Sequence, residues 1–318
     1  MSTSKISILI LNYNGVHRLK KVMPFILDQD YPNKEIILFD NASTDGSLEY
    51  LEQFPEVKVI KSKEDIRTAK ARNILYGAAT GDYLYGSDND IELTDKDTVS
   101  RLLEYYKTLD NPAFLSPFLR DVDSQNADFC GLYFNKLRRA WPLSKIQGQG
   151  HYQVPGFNCG SHIIKREVFD DMGGFDETPC QTTNIDDYDM SARANLLGYK
   201  NYVTTDVLLV HLGIEARYSL KGVTRNEKYY FSGFSRTVFK NFKWSNIIIW
   251  YPPIAGWIFA KNLYRCWKTR SIRPFFSFLS SGMRFLSNMP DHLKARKEIQ
   301  SRRRVKDDEF LKIPTPKF

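Results

Sequence analysis

The apolar run ISILIL at residues 6–11, followed by the polar Asn12, Tyr13 and Asn14, begins an alternation of short apolar and amphipathic segments. Strands are predicted at Ile6–Leu11, Ile36–Phe39, Val57–Ile60 and Tyr83–Tyr85. The helices predicted between them are Arg18–Leu27, a short one through Leu48 and Leu51, and Ala69–Ala79. This alternation predicts right-handed crossovers and a mostly parallel sheet flanked by helices, an α/β fold. Ligands on such sheets bind beyond the carboxyl ends of the strands.

Residues 111–213 show a more mixed pattern. Further strands are predicted at Ala113–Leu119, Phe129–Phe134, Ser161–Ile164 and Tyr202–His211. Helices are predicted at Arg166–Met172 and Asp187–Leu197, and the glycine-rich residues 148–160 are expected to form a loop.

Charge divides the chain of 318 residues into two parts. Residues 221–318 carry 21 Lys and Arg against 6 Asp and Glu, a net charge of +15, whereas residues 1–220 have a net charge of −7. The acidic first part argues against a uniformly basic nucleic-acid binder, although the basic end could still meet nucleic acid or anionic lipid. We therefore expect a catalytic domain over residues 1–220 and a basic, aromatic helical extension over residues 221–318.

The extension has features of a membrane-surface segment. The 17 residues between Lys243 and Lys261 are uncharged but include Pro252 and Pro253, and a membrane span needs about 20 continuous apolar residues. Apolar residues then recur at helical spacing, namely Phe275, Phe278, Leu279, Met283 and Leu286. We expect an interfacial segment, with packing on the catalytic domain or on a second subunit as the alternative.

Cysteine usage and the N-terminus indicate the compartment. Four widely spaced cysteines with no CxxC pair favour reduced core thiols; they are Cys130, Cys159, Cys180 and Cys266. The run at residues 6–11 is too short for a secretory signal. We expect a cytoplasmic protein that binds peripherally to the inner face of the cell membrane, and an oligomer is compatible with the sequence.

Carboxylates directly follow the fourth predicted strand. Asp88 and Asp90 lie two residues apart and offer hard oxygen ligands to Mn²⁺ or Mg²⁺. Such an ion keeps positions open for the oxygens of a nucleoside diphosphate. A polar turn that caps the next element is the alternative.

Other polar side chains follow the neighbouring strands. Asp40 ends the second strand and could accept hydrogen bonds from a base or ribose, with turn capping as the alternative. For Asp45 and Ser47 the turn is the preferred interpretation. Arg72 and the Asn73 amide, in the helix before the fourth strand, could face a base or diphosphate, and a solvated helix end is equally compatible with Lys70–Asn73.

Adjacent carboxylates open the helix predicted after residue 185. Asp186 and Asp187 crowd negative charge, which raises at least one proton affinity and suits a general base. An acidic helix N-terminus that is favoured by the helix dipole is the alternative. His211 could complete a metal site through a ring nitrogen, although a lone histidine is more often structural.

Taken in order, these clusters resemble the family 2 glycosyltransferases, which have the GT-A fold. The resemblance covers about residues 5–215, and its matching segments are Ile8–Asn14, Asp40–Ser47, Ala71–Asn73, Gly81–Tyr83, Ser87–Asp90, Gly173–Glu177 and Asp186–Asp189. Two positions depart from the family pattern: Asp186 replaces a commoner glutamate, and Ser87 replaces a large apolar residue. The tail, at Leu293–Lys297 and Arg302–Val305, is similar to the rhamnosyltransferase-like branch.

The resemblance implies an inverting transfer of a sugar from a UDP-, dTDP- or GDP-sugar to a glycan or lipid-linked saccharide. Asp187 is implied as the base, Asp90 and His211 as the Mn²⁺ or Mg²⁺ site, and Asp186 and Gly174 as parts of the acceptor region. The residues implied to line the nucleotide are Asn12, Tyr13, Asn14, Asp40, Arg72 and Asp88.

Two other functions remain open at this point. A sugar-nucleotide nucleotidyltransferase also uses a nucleotide and a metal, but it is expected to have a glycine-rich loop after the first strand, where Asn12–Gly15 contains one glycine. No GxxxxGK run is present, which disfavours a P-loop enzyme. A nucleic-acid-binding module is supported only by the basic tail, without a recognised motif.

Overall fold

The computed structural model describes residues 4–122, 127–129, 132–134, 140–142, 148–178, 185–213, 220–306 and 313. Cys130 and Cys180 therefore lie outside the described residues. Cys159 is a buried free thiol, as predicted. The prediction of a core thiol is wrong for Cys266, because its position on a surface helix leaves it partly exposed.

A mixed sheet forms the centre of the molecule. Its strands and a separate hairpin are β1 Ile6–Asn12, β2 Lys34–Asp40, β3 Val57–Lys61, β4 Tyr83–Asp88, β5 Ile91–Glu92, β6 Pro112–Asp121, β7 Ala127–Phe129, β8 Leu132–Phe134, β9 Ala140–Pro142, β10 His151–Val154, β11 Ser161–Lys165 and β12 Lys200–His211. The strand order is β10-β12-β6-β11-β4-β1-β2-β3; β5 pairs with β12, β7 pairs with β6, and β8 and β9 form the hairpin.

The first four strands are parallel, as the sequence predicts. By contrast, β11 is antiparallel to both β4 and β6. The strands β7 and β10 already run in the direction of β11, so the chain reverses relative to β6 earlier, at the antiparallel pair of β6 with β7. The short β10 was not predicted and lies within the expected loop.

Helices cover the sheet and form the C-terminal part of the molecule. They are α1 Val16–Leu27, α2 Ser47–Leu51, α3 Thr68–Gly77, α4 Thr98–Thr108, α5 Arg166–Met172, α6 Asp186–Leu196, α7 Leu220–Asn241, α8 Trp244–Thr269, α9 Arg273–Ser287 and α10 Met289–Ser301. Helix α4 is missing from the sequence-based predictions, although its buried residues Val99, Leu102, Leu103 and Tyr106 have helical spacing.

Both faces of the sheet are buried. Ile36 and Leu38 pack on the side of α1 and α4, whereas Ile37 and Phe39 pack on the side of α3, α5 and α6. Alternate strand residues face opposite sides, so a strand that is covered on both sides has a continuous apolar sequence. This explains why IILF at residues 36–39 shows no polar alternation.

The C-terminal helices share a third core with α6. Tyr188 of α6 packs with Phe234, Val238 and Phe242 of α7, and Ile254 of α8 belongs to the same cluster. The division of the chain at residue 220 stays a prediction. Among the described residues, no helix is long and apolar enough to cross a membrane.

Candidate active site

Strands β1, β2 and β4 end side by side, and the side chains at their ends are hydrogen-bonded to one another. Asn12 pairs in register with Asp40. Asn12 Nδ2 donates to Asp40 Oδ2 over 2.7 Å, and Asn12 Oδ1 accepts from Asn89 Nδ2 over 2.5 Å. All three side chains are buried. The register of the parallel strands thus brings three separate sequence clusters to one edge of the sheet.

The loops after β1 and β2 are bound to each other. Asp40 Oδ1 accepts from the Ser43 backbone N–H over 2.8 Å, and Ser43 Oγ accepts from the Asn14 backbone N–H over 2.9 Å. Asn14 Oδ1 in turn accepts from the Thr44 amide over 2.8 Å. These are the bonds that the turn-capping interpretation of Asp40 requires. The adjacent Tyr13 remains well exposed, with its ring open to a ligand.

Asp45 and Ser47 stabilise the turn before α2, as the sequence predicts. Asp45 Oδ2 accepts from the Val16 amide over 2.8 Å, and Oδ1 accepts from the Ser47 hydroxyl over 2.6 Å. These bonds hold the start of α1 against the turn before α2.

Arg72 connects the end of β4 with the start of α6. Its NH2 group lies 2.8 Å from Asp88 Oδ1, and its NH1 group lies 3.6 Å from Asp186 Oδ2. The guanidinium also lies over the Phe175 ring at 5.5 Å. The alternative of a solvated helix end is wrong for Arg72, which is 5% exposed, because the Asp88 carboxylate beside it offsets the cost of burying its charge.

Asn73 of α3 hydrogen-bonds the segment after α5. Asn73 accepts from the Phe175 amide over 2.7 Å and donates to Glu177 Oε1 over 2.7 Å. Gly174, at φ +69°, lies against the Asn73 side chain, and an added Cβ would stand 2.8 Å from Asn73 Oδ1. Glycine is therefore required there both by backbone conformation and by space.

Asp187 lies in the first turn of α6, half-buried against the loop before β11. The Cys159 thiol and backbone amide both hydrogen-bond its carboxylate. Burial raises the pKa of Asp187 to about 6, although Arg72 and these hydrogen bonds oppose the rise. A carboxylate with this pKa is ionised at neutral pH and basic enough to accept a proton.

The neighbouring Asp186 has a different environment. Burial raises its pKa to about 8, with Arg72 opposing and the charges of Asp187 and Asp189 adding to the rise. Two adjacent carboxyls thus differ in protonation at neutral pH, which suits different roles. The sequence predicted a raised proton affinity from crowding of charge; burial is the larger cause.

Asp90, which follows β4, and His211, which ends β12, come together. Antiparallel pairing of β5 with the end of β12 sets His211 opposite Ile91, and Asp90 Oδ2 lies 3.5 Å from His211 Nε2. Arg18 approaches the same carboxylate at 3.9 Å. Gly213 closes the site, since a Cβ there would stand 2.0 Å from Asp90 Oδ2.

The two side chains fit one divalent ion through a carboxylate oxygen and an imidazole nitrogen. Within the described part of the chain, no group of three or more possible protein ligands is present. Two protein ligands suit an ion that takes its remaining ligands from a diphosphate and water.

Sequence reasoning missed three residues of this region and the contacts of a fourth. The Asn73 amide is expected from the sequence to face a base or diphosphate, but it binds the segment after α5. Asn89 and Gly213 lie inside or beside recognised motifs, without an expected role. Cys159 was expected to be only a core thiol. The signal for Asn89 was its position between two predicted site carboxylates, whereas nothing in the sequence indicates the Cys159 contact.

Comparison with known proteins identifies a family. Residues 7–173 match the model for glycosyl transferase family 2. The protein of Bacillus subtilis (strain 168) named as a glycosyltransferase, EpsE, is 37% identical over 94 residues, which are 28% of this chain and 34% of EpsE. The chain spans less than half the length of this and the next curated relatives.

Solved structures share the fold. The mannosyltransferase PcManGT from Pyrobaculum calidifontis, solved with GDP-Man and Mn²⁺, has a TM-score of 0.57 at 17% identity, over 90% of this chain and 88% of that one. GalNAc-T7, solved with UDP, GalNAc and Mn²⁺, has a TM-score of 0.58 at 19% identity, over 74% and 48%. These neighbours confirm the predicted GT-A fold.

Proposed function

The chain belongs to glycosyl transferase family 2, and on this premise we propose that it transfers a sugar from a nucleoside diphosphate to an acceptor hydroxyl with inversion. One observation carries the proposal. Asp187, with a pKa of about 6, and the Asp90–His211 pair lie beside the same strand ends, and Asp88 and Arg72 lie between them. A base and a diphosphate site beside the same strand ends are what a single displacement requires.

The donor is proposed to lie over the ends of β1, β2 and β4. The residues proposed to line it are Asn12, Tyr13, Asn14, Asp40, Arg72 and Asp88. The exposed Tyr13 ring and the hydrogen-bonded loops beneath it support a base and ribose site. The neighbours' UDP and GDP-Man support a UDP- or GDP-sugar, and a dTDP-sugar remains among the donors to test.

Asp90 and His211 are proposed to hold the divalent ion. The imidazole nitrogen favours Mn²⁺ over Mg²⁺, which prefers oxygen ligands. When bound, such an ion supplies positive charge that stabilises the developing diphosphate.

The proposed reaction is one displacement. The acceptor oxygen forms a bond to the anomeric carbon on the face opposite the diphosphate, and the bond from that carbon to the diphosphate oxygen breaks. The hydroxyl proton moves to the Asp187 carboxylate. Asp186 and Gly174 are proposed to shape the acceptor side, where Gly174 lies beside Asn73.

Thermal unfolding with UDP, dTDP or GDP, each with Mn²⁺ or EDTA, tests the donor site. A ligand at 100 times its Kd adds about 2.7 kcal/mol, which raises the Tm by a few degrees. We expect a Mn²⁺-dependent shift with one nucleotide that is lost in Asp90→Ala. Asp187→Asn should keep this shift but lose transfer. Equal transfer by Asp187→Asn and the parent would overturn the proposal.

The C-terminal helices support a membrane-bound acceptor. Exposed apolar side chains cover the outer side of α8, namely Ile248, Ile249, Trp257, Phe259, Leu263, Tyr264 and Trp267. On α9 the exposed residues Phe276, Leu279, Met283 and Leu286 recur at helical spacing, on the side opposite to the buried Ser281 and Phe285.

The charge around these faces has one sign. Residues 228–290 contain ten Lys and Arg and no Asp or Glu. We propose that α8 and α9 lie in the surface of an anionic bilayer, on the cytoplasmic face, so that the candidate active site can receive a lipid-linked saccharide.

Sedimentation with vesicles tests this proposal. The full chain should bind vesicles of mixed neutral and anionic lipid, more weakly with neutral lipid alone or at high salt. Trp267→Ser and Leu286→Ser should weaken binding, whereas Phe25→Ser, an exposed apolar residue of α1, should not. The proposal would be overturned if the chain does not bind anionic vesicles. It would also be overturned if sedimentation velocity shows a dimer that Trp267→Ser and Leu286→Ser dissociate, because a second copy then covers the apolar faces.

The rhamnosyltransferase-like branch is proposed from the tail. In the structure, Arg296 donates to the carbonyls of Phe239 and Phe242, and Arg302 pairs with Asp171 at 2.8 Å. These residues hold the tail against α7 and α5. Transfer assays with dTDP-rhamnose against UDP- and GDP-sugars test the branch.

A further inference from the structure

Helix α7 contacts the chain on both sides of the entry to α6. Asp176 precedes this entry, Asp189 lies in the first turn of α6, and Lys240 of α7 reaches both. Lys240 Nζ lies 2.6 Å from Asp176 Oδ2 and 2.8 Å from Asp189 Oδ1. Lys240 and Asp189 are 5% and 1% exposed, so the bridge is inside the protein.

Each carboxylate also has a second cation. Arg236 Nε lies 2.8 Å from Asp176 Oδ2, and Arg193 Nε lies 2.8 Å from Asp189 Oδ2. Burial acts to raise the pKa of Asp176, yet Lys240 and Arg236 hold it well below the ordinary range of an aspartate. Buried charges that are paired in this way are stable together, but removing one leaves the others uncompensated.

Apolar contacts reinforce the same junction. The Tyr188 ring stacks on Phe234 at 5.7 Å between centroids and packs on Phe242 at 6.4 Å. Asn241 donates to Asp189 Oδ1 over 2.9 Å. Tyr188 and Asp189, directly after the proposed base, are therefore both bound to α7, whereas Asp187 itself is hydrogen-bonded to Cys159.

We propose that Lys240 is a positioning residue for Asp187, with Arg236 as its supporting partner. Through Asp176 and Asp189 it sets the first turn of α6, and so it sets where the Asp187 carboxylate meets the acceptor hydroxyl. The inference rests on the proposed role of Asp187. It makes α7 part of the catalytic unit, whatever surface α8 and α9 bind.

The test compares Lys240→Met with three other variants. Lys240→Arg keeps the positive charge, and Asn241→Ala removes one hydrogen bond that a neutral side chain donates to Asp189. Arg302→Met is the matched control, since it breaks another ion pair between the C-terminal part and the catalytic part, at Asp171 of α5 rather than at Asp176 or Asp189. Each variant is assayed at the same interval below its own Tm, for kcat, both KM values, nucleotide Kd and pH profile.

We expect Lys240→Met to lower kcat at least tenfold with nucleotide Kd within about twofold, because a misplaced base slows the chemical step without touching the donor. The acidic limb of its pH profile should move to higher pH. Without Lys240, the negative charges of Asp176 and Asp189 are less compensated, and they raise the pKa of the nearby Asp187. Lys240→Arg should stay within about threefold of the parent, Asn241→Ala should lose kcat a few-fold, and Arg302→Met should change only the Tm.

Two results overturn the inference in distinguishable ways. If Lys240→Met or, where that variant does not fold, Asn241→Ala has the kcat and pH profile of Arg302→Met, α7 does not position the base. If Asp187→Asn itself transfers as fast as the parent, the proposed function fails, and the inference fails with it.

Discussion

Asp90 Oδ2 lies 3.5 Å from His211 Nε2, although Asp90 precedes β5 and His211 ends β12. The two come together because β5 pairs antiparallel with the last residues of β12, and the Leu212 amide donates to the Asp90 carbonyl over 2.7 Å. A two-residue strand thereby joins two sequence motifs into one possible metal site.

His211→Ala should weaken Mn²⁺ binding at least tenfold in the presence of the nucleotide, because one of two protein ligands is removed. The measurement is the Mn²⁺ concentration that gives half of the nucleotide-dependent Tm shift. His151→Ala removes a histidine that contacts Thr204 away from this site, and should leave that concentration unchanged. The same Mn²⁺ dependence in both variants would remove His211 from the site.

Gly213→Ala should have a similar but purely steric effect. Its Cβ would stand 2.0 Å from Asp90 Oδ2 and 3.2 Å from His211 Nε2, so the carboxylate must move. Gly77→Ala is the control, because nothing lies within 4 Å of its Cβ. We expect weaker Mn²⁺ binding for Gly213→Ala alone, and equal affinity in the two variants would contradict the placement of Asp90.

The pH dependence of transfer should follow Asp187. With a pKa of about 6, kcat/KM should be level above pH 7 and fall towards tenfold per unit below about pH 6, as the base becomes protonated. Nucleotide and Mn²⁺ affinities measured over the same range separate this loss from protonation of His211. A level profile down to pH 5 would exclude Asp187 as the base.

Asp186 should lower stability at high pH. Its pKa of about 8 in the folded protein exceeds the ordinary value near 4, so the folded state binds the proton more tightly. The stability that this provides is complete below about pH 4. It is lost as the pH rises from there through 8, by up to about 1.4 kcal/mol per pH unit. Asp186→Asn should flatten the fall in Tm between pH 6 and 8, whereas Glu52→Gln on the surface should not. An unchanged slope in Asp186→Asn would mean that Asp186 is ionised across this range.

Gly173 and Gly174 form a matched pair. Both have positive φ, at +78° and +69°, so alanine at either position costs about 1 kcal/mol in backbone strain. Only at Gly174 does the new Cβ meet Asn73, at 2.8 Å from its Oδ1, whereas nothing lies near Gly173. We expect Gly174→Ala to be the less stable variant in urea unfolding and to lose transfer. Equal stabilities would show that Asn73 adjusts freely.

The sequence by itself determined the first four strands, most of the helices and the order of the motifs, because apolar periodicity and strand-end polar clusters are local signals. It also indicated Asp187 and Asp90 as site residues. It did not reveal β10 or the antiparallel direction of β11, since strand direction depends on partners that are distant in sequence.

The tertiary structure alone decided which distant residues meet. Whether Arg72 is solvated or buried depends on Asp88 and Asp186 around it, and the raised pKa of Asp187 depends on burial beneath the loop that carries Cys159. The contacts of Lys240 with Asp176 and Asp189 join residues more than fifty positions apart. Local sequence records which side chains are present, whereas burial and pairing of charge arise only when the elements pack, and those two quantities set the chemistry of a carboxylate.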